Sequence, residues 1–316
     1  MKFSLPSHCG RAPLLRRAFC QAARNRQVPE EYSPILIAVW MMTQTRIVAV
    51  SYLNTIPYIY GISRAGGTLR DGLLLCPPRL CAEALRNGEA NVGLIPVAAI
   101  PEIPDLNIIT PFCIGAHGPV RTVVLASNYP VEELETIGLD CHSRTSIRLA
   151  RILAAERWHI SPQWMPLTDY SFTEGGKTGY ILIGDKVFTH ESKFRYLYDL
   201  AAEWQAMTHL PFAFAAWVAR SEVPAEEIER LEQALRYGTS HIQEAVAWSE
   251  YASRPYAVDY LTKNIDFVLD APKRRGMELY WQLGRRYDPP SPTRPDPFPI
   301  QGCQPDAGSQ LLRNGR

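Results

Sequence analysis

Short apolar runs alternate with stretches of helical periodicity from Arg46 to about Arg286. A short apolar run bounded by turn-forming residues is typical of a buried strand. Six strands are predicted on this basis, at residues 47–50, 92–95, 120–126, 137–139, 180–183 and 212–218. Strands that alternate with helices along a chain indicate the α/β class.

Two helices are well marked by apolar stripes. One begins near Ser143 and the other at Pro224, where a proline suits the first turn. The predicted stripes contain Ile147, Ala150, Leu153 and Ala154 in the first helix, and Ile228, Leu231, Leu235, Ile242 and Val246 in the second. Helical patterns then continue to about Arg286, so the chain is predicted to finish with helices rather than further strands.

The two ends differ in pattern from the middle. Residues 1–44 are rich in arginine and without a clear period, and we predict an irregular extension outside the fold. They are either a targeting peptide or an over-extended start, with Met41 or Met42 as the first residue. The acidic pair Glu30 and Glu31 favours the second interpretation. Residues 288–316 are dense in proline, and a disordered tail is predicted there.

The charge balance limits the class of partner. The 33 basic and 32 acidic residues leave a formal charge of +1, so no field attracts nucleic acid or an anionic membrane. No apolar stretch approaches the roughly 20 residues that span a bilayer. Export is disfavoured, because Glu30 and Glu31 precede the apolar run at 35–42 where a signal peptide carries positive charge. A small-molecule partner and a cytoplasmic location are expected.

The sequence carries no pattern for a metal or a coenzyme. The seven cysteines include no CxxC pair, which fits neither a disulfide framework nor a zinc site. Neither a GxGxxG fingerprint nor a P-loop is present. No metal and no cofactor are therefore predicted.

Three predicted strand-to-helix junctions contain small polar residues, at 51–57, 115–122 and 140–146. Free backbone N–H groups beside such side chains are suited to holding a carboxylate. Each junction also has a structural explanation: Ser143 as an N-cap, Asn54 as a turn former and Gly118 as a loop breaker.

Seven segments together resemble the chorismate dehydratase family of the futalosine route to menaquinone. In order they are SYLNTIP, NGEANVGLIPVAAIP, CIGAHGPVRTVVL, DCHSRTS, LIGD, YDLAAEW and LPFAFAAWVA. The resemblance covers about residues 46–285. A sibling enzyme, the synthase of 1,4-dihydroxy-6-naphthoate, opens instead with an SPCPNDT-like segment, so SYLNTIP favours the dehydratase.

The resemblance implies a type II periplasmic-binding-protein fold, in which two α/β lobes joined by paired hinge strands enclose a cleft. Lobe one is predicted to contain residues 46–122 plus 216–286, and lobe two residues 123–215. The implied reaction removes the C3 hydrogen and the C4 hydroxyl of chorismate and gives 3-[(1-carboxyvinyl)oxy]benzoate. For this family a substrate-assisted route is proposed, in which the enolpyruvyl carboxylate takes the C3 proton.

The resemblance and the junctions together name the candidate residues. Asn54 and Thr122 are the catalytic candidates, although the family commonly has serine at the second position. The predicted substrate-binding residues are Ser51, Thr55, Gly118, Ser143, Arg144, Thr145, Ser146 and Asp185.

Several of the candidates have a second interpretation. Arg144 is either a charge for the substrate or part of a solvated face with Arg148 and Arg151. Asp185 either borders the cleft or caps a turn. His117 and His142 are possible acids, but loop positions without a catalytic role are favoured.

Four aromatic residues near the C-terminal strand are predicted to be mainly core, with at most one ring at the ligand: Trp204, Phe212, Phe214 and Trp217. Two functional alternatives stay open, a non-catalytic solute-binding protein and the sibling synthase.

Overall fold

The computed structural model of the protein describes residues 45–140, 144–167, 170, 172 and 176–287. The predicted extension at 1–44 and the predicted tail at 288–316 lie outside the described residues. Within the described part, helices pack on two β-sheets, which confirms the α/β class.

The first sheet is mixed and has six strands. They are β1 (Ile47–Val50), β2 (Leu73–Cys76), β3 (Val92–Pro96), β4 (Leu106–Ala116), β10 (Phe212–Arg220) and β11 (Asp266–Val268). Their spatial order is β11-β4-β10-β3-β1-β2. Strand β1 is parallel to β2 and β3, whereas β10 is antiparallel to β3 and β4. Every residue of β1 and β3 is buried, as expected for parallel strands covered on both faces.

The second sheet has five strands. They are β5 (Val123–Ser127), β6 (Thr136–Asp140), β7 (Gln163–Leu167), β8 (Thr178–Ile183) and β9 (Tyr196–Asp199). Their order is β7-β6-β8-β5-β9. Strand β6 is parallel to both neighbours, and β5 is antiparallel to β8 and β9.

Helices connect most of these strands. They are α1 (Ile56–Ala65), α2 (Gly67–Gly72), α3 (Pro78–Arg86), α4 (Arg144–Glu156), α5 (Lys186–His190), α6 (Leu200–Thr208), α7 (Ala225–Ser240), α8 (Ile242–Trp248), α9 (Ala257–Lys263) and α10 (Ala271–Tyr287). Short 3₁₀ segments lie at Leu53–Thr55, Val97–Glu102, Val131–Glu133, Glu191–Lys193 and Glu250–Ser253. Among the described helices, none has both the length and the apolar character that a membrane crossing requires.

All six predicted strands are present, and one of them begins later than predicted. The strand predicted at 120–126 starts at Val123. Arg121 adopts a φ of 66°, a left-handed conformation that interrupts extended backbone. The residues before Val123 therefore form a connection rather than a strand.

Two predictions for the C-terminal third were wrong. The chain does not finish with helices alone, because β11 pairs with β4 between α9 and α10. The stripe from Ile228 to Val246 does not lie on one helix, since the backbone leaves the helical region at His241, with φ −126° and ψ 47°. Leu231, Leu235 and Val246 are nevertheless buried, because α7 and α8 both pack against α1.

The carboxylate of Asp199 forms hydrogen bonds to both connections between the sheets. The chain enters the second sheet at Val123 and returns to the first at Phe212. Asp199 accepts hydrogen bonds from the N–H groups of Val120 at 3.1 Å and Arg121 at 2.6 Å, in the outgoing segment. The same side chain caps α6, the helix that precedes the return. The outgoing and returning segments are thus held together at one point.

The strand β10 pairs with the first sheet along its whole length, from Phe212 onward. The predicted lobe boundary between residues 215 and 216 therefore falls inside this strand. By their contacts, the described residues from Thr45 onward lie in one compact unit. The division into two lobes stays a prediction.

Candidate functional site

A cleft lies where strand ends of the first sheet meet strand ends of the second. It contains about 560 Å³ of empty space, a volume that includes the open solvent at its mouth. Its polar lining residues are Tyr52, Asn54, Thr55, Thr122 and Ser146, and its apolar ones include Val50, Ile114, Val123, Ile183 and Phe214. Such a lining suits a ligand that is partly apolar and also carries polar groups.

Asn54 reaches the cleft from a turn that the local sequence favours. Strand β1 ends at Val50, and a 3₁₀ segment at Leu53–Thr55 leads into α1, where Pro57 occupies the first turn. The hydroxyl of Thr55 donates to the amide oxygen of Asn54 at 3.2 Å. The side-chain nitrogen of Asn54 takes no part in this hydrogen bond.

Thr122 approaches from the start of the second sheet. It is buried and lines the cleft, and its backbone oxygen accepts from the N–H of Gly184. Its hydroxyl lies 2.7 Å from the hydroxyl of Tyr260 in α9. The two catalytic candidates, Asn54 and Thr122, therefore line one cleft although they come from different sheets.

The N-terminal turn of α4 brings Ser146 to the cleft but not its neighbours. Ser146 is 1% exposed and lines the cavity. Thr145 faces away from it, because its hydroxyl accepts from the N–H of Ala98 and donates to the backbone oxygen of Phe214. The start of α4 therefore contributes one hydroxyl to the lining.

Arg144 does not line the cleft. Its guanidinium forms two hydrogen bonds to Glu102, the shorter at 2.7 Å. Glu102 also pairs with Arg148, whose side chain is nearly buried and not part of a solvated face. The Arg144 charge is therefore already matched by a carboxylate of the same chain.

Two other predicted binding residues, Ser51 and Gly118, are not among the residues that line the cleft. Ser51 is half-buried beside the cleft, and Gly118 lies beside Gln205 of α6. Ser143 lies outside the described residues, as does His142. A binding role for Ser51, Gly118 and Ser143 stays a prediction.

Asp185 borders the cleft from the loop after β8. Its carboxylate accepts from the backbone N–H of Leu53 and from the hydroxyl of Tyr251. Burial raises the pKa of this carboxyl group, and the hydrogen bonds from Tyr251 and Leu53 act in the opposite direction. The side chain thus connects a loop of the second sheet with elements beside the first.

Of the described residues that line the cleft, none carries a formal charge. An anionic ligand would be held by hydroxyl, amide and backbone N–H groups rather than by an ion pair. Hydrogen bonds from such neutral donors are stronger in a buried site than in water. The lining therefore suits carboxylate recognition without a cation in direct contact.

His117 lies in a separate cluster. Its ring nitrogen is 3.1 Å from Asp266 and 3.3 Å from Asp270, and these three groups have the spacing of possible metal ligands. The buried ammonium of Lys273 already contacts all three. The cluster thus has its own cation. His117 does not line the cleft.

The predicted aromatic core is confirmed. Trp204, Phe212 and Trp217 are at most 1% exposed, and only Phe214 of the four aromatic residues lines the cleft. Two tyrosines beside the site were missed, Tyr251 and Tyr260. Neither belongs to a sequence motif, and Tyr260 is 138 residues from Thr122 along the chain. No local signal in the sequence identifies such a pair.

The chain is similar to known proteins in sequence and in structure. It is 26% identical to chorismate dehydratase from Thermus thermophilus over 235 residues, which cover 65% of this chain and 84% of that protein. A crystal structure of a protein from Archaeoglobus fulgidus matches 77% of this chain and 98% of its own, with 14% identity and a TM-score of 0.61.

Similarity to a third protein, a solved structure, identifies the fold. A Candida albicans gene product, described as having the generic periplasmic binding protein fold, matches 78% of this chain and 92% of its own. The identity is 11% and the TM-score 0.55. The predicted periplasmic-binding-protein-like fold is thereby confirmed.

The family is established by the sequence as a whole. The profile of a family described as menaquinone biosynthesis matches residues 45–286, which includes nearly all of the described chain. This match and the Thermus thermophilus relative confirm the resemblance that the seven sequence segments indicated. The chain belongs to the menaquinone biosynthesis family.

Proposed function

We propose that this chain is a chorismate dehydratase, a carbon–oxygen lyase that converts chorismate to 3-[(1-carboxyvinyl)oxy]benzoate and water. The step is the first of the futalosine route to menaquinone. The observation that carries the proposal is the meeting of Asn54 and Thr122 in one uncharged cleft with apolar walls. The apolar residues suit the ring of the substrate, and the polar ones suit its carboxylates and hydroxyl.

The proposed chemistry needs few protein groups that accept protons. The enolpyruvyl carboxylate of the substrate takes the proton from C3, and the C–H electron pair forms the new ring double bond. The C4–O bond breaks at the same time, and the departing hydroxide takes the proton from the new carboxylic acid to become water. Aromatisation of the ring drives the reaction.

In this scheme the protein positions and polarises the substrate. Asn54 hydrogen-bonds the departing hydroxyl or the carboxylate, and Thr122 is a second polar contact. The N-terminal turn of α4, with Ser146, is proposed to hold a carboxylate, because helix N-termini favour negative charge. Preorganised donors of this kind stabilise charge that develops in a transition state.

A chorismate assay tests the function. The purified full chain is incubated with chorismate, and an aromatic product that lacks one water is sought by chromatography and mass spectrometry. Chorismate without protein and heat-denatured protein are the controls for spontaneous decay. Formation of the product at the control rate would contradict the proposal.

The same assay separates the alternatives. A solute-binding protein would bind chorismate in calorimetry and release it unchanged. The sibling synthase would ignore chorismate and consume a cyclic dehypoxanthine futalosine. A cytoplasmic location is also part of the proposal, is supported by membership of a biosynthetic family, and is testable by cell fractionation and immunoblotting.

A further inference from the structure

A buried hydrogen bond at the wall of the cleft joins two residues from distant parts of the chain. The hydroxyls of Thr122 and Tyr260 are 2.7 Å apart, and both residues are 1% exposed. Asn54 also lies close enough to Tyr260 to lower the pKa of its phenol. Tyr260 itself is not among the lining residues, so it contacts Thr122 without facing the ligand space.

The hydrogen-bond donors in this group can be assigned from the chemistry of each side chain. Among the described residues, Thr122 is the hydrogen-bond partner of the Tyr260 hydroxyl, and either oxygen could be the donor. The hydrogen of the buried phenol needs an acceptor, because a buried hydroxyl without one is costly. A phenol is also the more acidic of the two hydroxyls and therefore the better donor.

The acceptor for that hydrogen is the Thr122 oxygen, at 2.7 Å. Burial raises the pKa of Tyr260, so the phenol keeps its hydrogen at neutral pH. With its oxygen occupied by Tyr260, Thr122 has its own hydrogen available. Thr122 lines the cleft, so that hydrogen can point at a ligand.

We propose that Tyr260 is a positioning residue of the dehydration site: its hydroxyl donates to Thr122 and so leaves the Thr122 hydroxyl as a hydrogen-bond donor for the departing hydroxyl of the substrate. The inference rests on the proposed function. Thr122 transfers no proton in this scheme, because the departing hydroxide takes its proton from the substrate's own carboxylic acid. The hydrogen bond only stabilises the negative charge that develops on oxygen as the C4–O bond breaks.

The test compares two buried tyrosines that each lose one hydroxyl. Tyr260→Phe removes the link to Thr122, whereas Tyr58→Phe removes a bond to the backbone oxygen of Cys113, away from the cleft. We expect kcat for chorismate to fall about tenfold in Tyr260→Phe, with KM nearly unchanged, because one hydrogen bond made in the transition state is lost. Tyr58→Phe should keep kcat within about twofold.

A double-mutant cycle identifies the route of the effect. Thr122→Val keeps the shape of the side chain and removes the hydroxyl. If Tyr260 acts through Thr122, adding Tyr260→Phe to Thr122→Val lowers kcat no further. Independent, multiplicative losses would overturn the inference. Should Tyr260→Phe fail to fold, fluorotyrosine at position 260 keeps the ring and makes its hydroxyl a stronger donor, and an unchanged kcat would then overturn it.

The outcomes separate this inference from the proposed function. If the unaltered chain leaves chorismate intact, the proposed function fails and the role of Tyr260 fails with it. If the unaltered chain is active and Tyr260→Phe matches Tyr58→Phe, the proposed function stands and the inference alone fails.

Discussion

The hydroxyl of Tyr251 donates to the carboxylate of Asp185 at 2.5 Å, and the same carboxylate accepts from the backbone N–H of Leu53. Asp185 follows the second-sheet strand β8, whereas Leu53 follows the first-sheet strand β1. Gly184, next to Asp185, lines the cleft. A buried carboxylate therefore bridges the two sides of the site directly beside the ligand space.

Asp185→Asn should change how stability depends on pH. Burial raises the pKa of Asp185 in the folded chain, so the folded state holds this proton more tightly than the unfolded state. The contribution of the Asp185 carboxyl group to the free energy of unfolding is greatest below the pKa that this group has in the unfolded chain. It is lost as pH rises through the pKa that the group has in the folded chain. The free energy of unfolding of the unaltered chain should fall relative to Asp185→Asn over that range, in urea titrations at several pH values.

The exposed Asp259 provides the control for this titration. Among the described residues, its carboxylate pairs with Lys263 on the surface of α9, and Asp259→Asn should leave the pH profile unchanged. Parallel profiles for the unaltered chain and Asp185→Asn would show that the carboxylate does not titrate as inferred.

Asn54→Ala should lower kcat for chorismate about a hundredfold, the usual loss when one preorganised donor is removed. The fold should stay intact, because Asn54 lies in a turn at the cleft rather than in the core. Steady-state kinetics and a thermal melt measure both effects. Asn107→Ala, at an exposed position, is the matched control. Near-normal turnover in Asn54→Ala would remove this residue from the mechanism.

Asp199→Ala should destabilise the fold by about 3 kcal/mol, since it removes an N-cap and two further hydrogen bonds to backbone N–H groups. Those four donors are Val120, Arg121, Ala201 and Ala202. Urea unfolding measures the loss, and Asp259→Ala should change stability by less than about 0.5 kcal/mol. Equal stabilities of the two variants would mean that Asp199 does not hold the connections together.

Gly238→Ala should destabilise the packing of α7 against α1. A Cβ at this position would lie 1.8 Å from the backbone oxygen of Pro57, and backbone atoms cannot yield as a flexible side chain does. We expect a loss of about 3 kcal/mol in urea unfolding, at the upper end of overpacking effects. Glu229→Ala, on the exposed face of the same helix, should be nearly neutral. Wild-type stability in Gly238→Ala would contradict this helix contact.

The sequence alone determined the class of the fold, most of its strands and the family. Runs such as Ile47–Val50 are buried on both faces, so every residue in them is apolar and the strand is visible locally. The junction that contains Asn54 was also predictable, since a strand followed by small polar residues and a proline specifies a turn into a helix. Local signals of this kind depend only on near neighbours in the chain.

Only the tertiary structure decided which of the candidate residues meet. It brought Asn54, Thr122 and Ser146 together, directed Arg144 to Glu102, and added Tyr260, which no motif contains. It also placed the short strand β11, whose pairing with β4 outweighs its weak local pattern. The physical reason is that hydrogen bonds between residues more than a hundred positions apart depend on how helices and sheets pack, and the periodicity of a single segment carries no information about its partners.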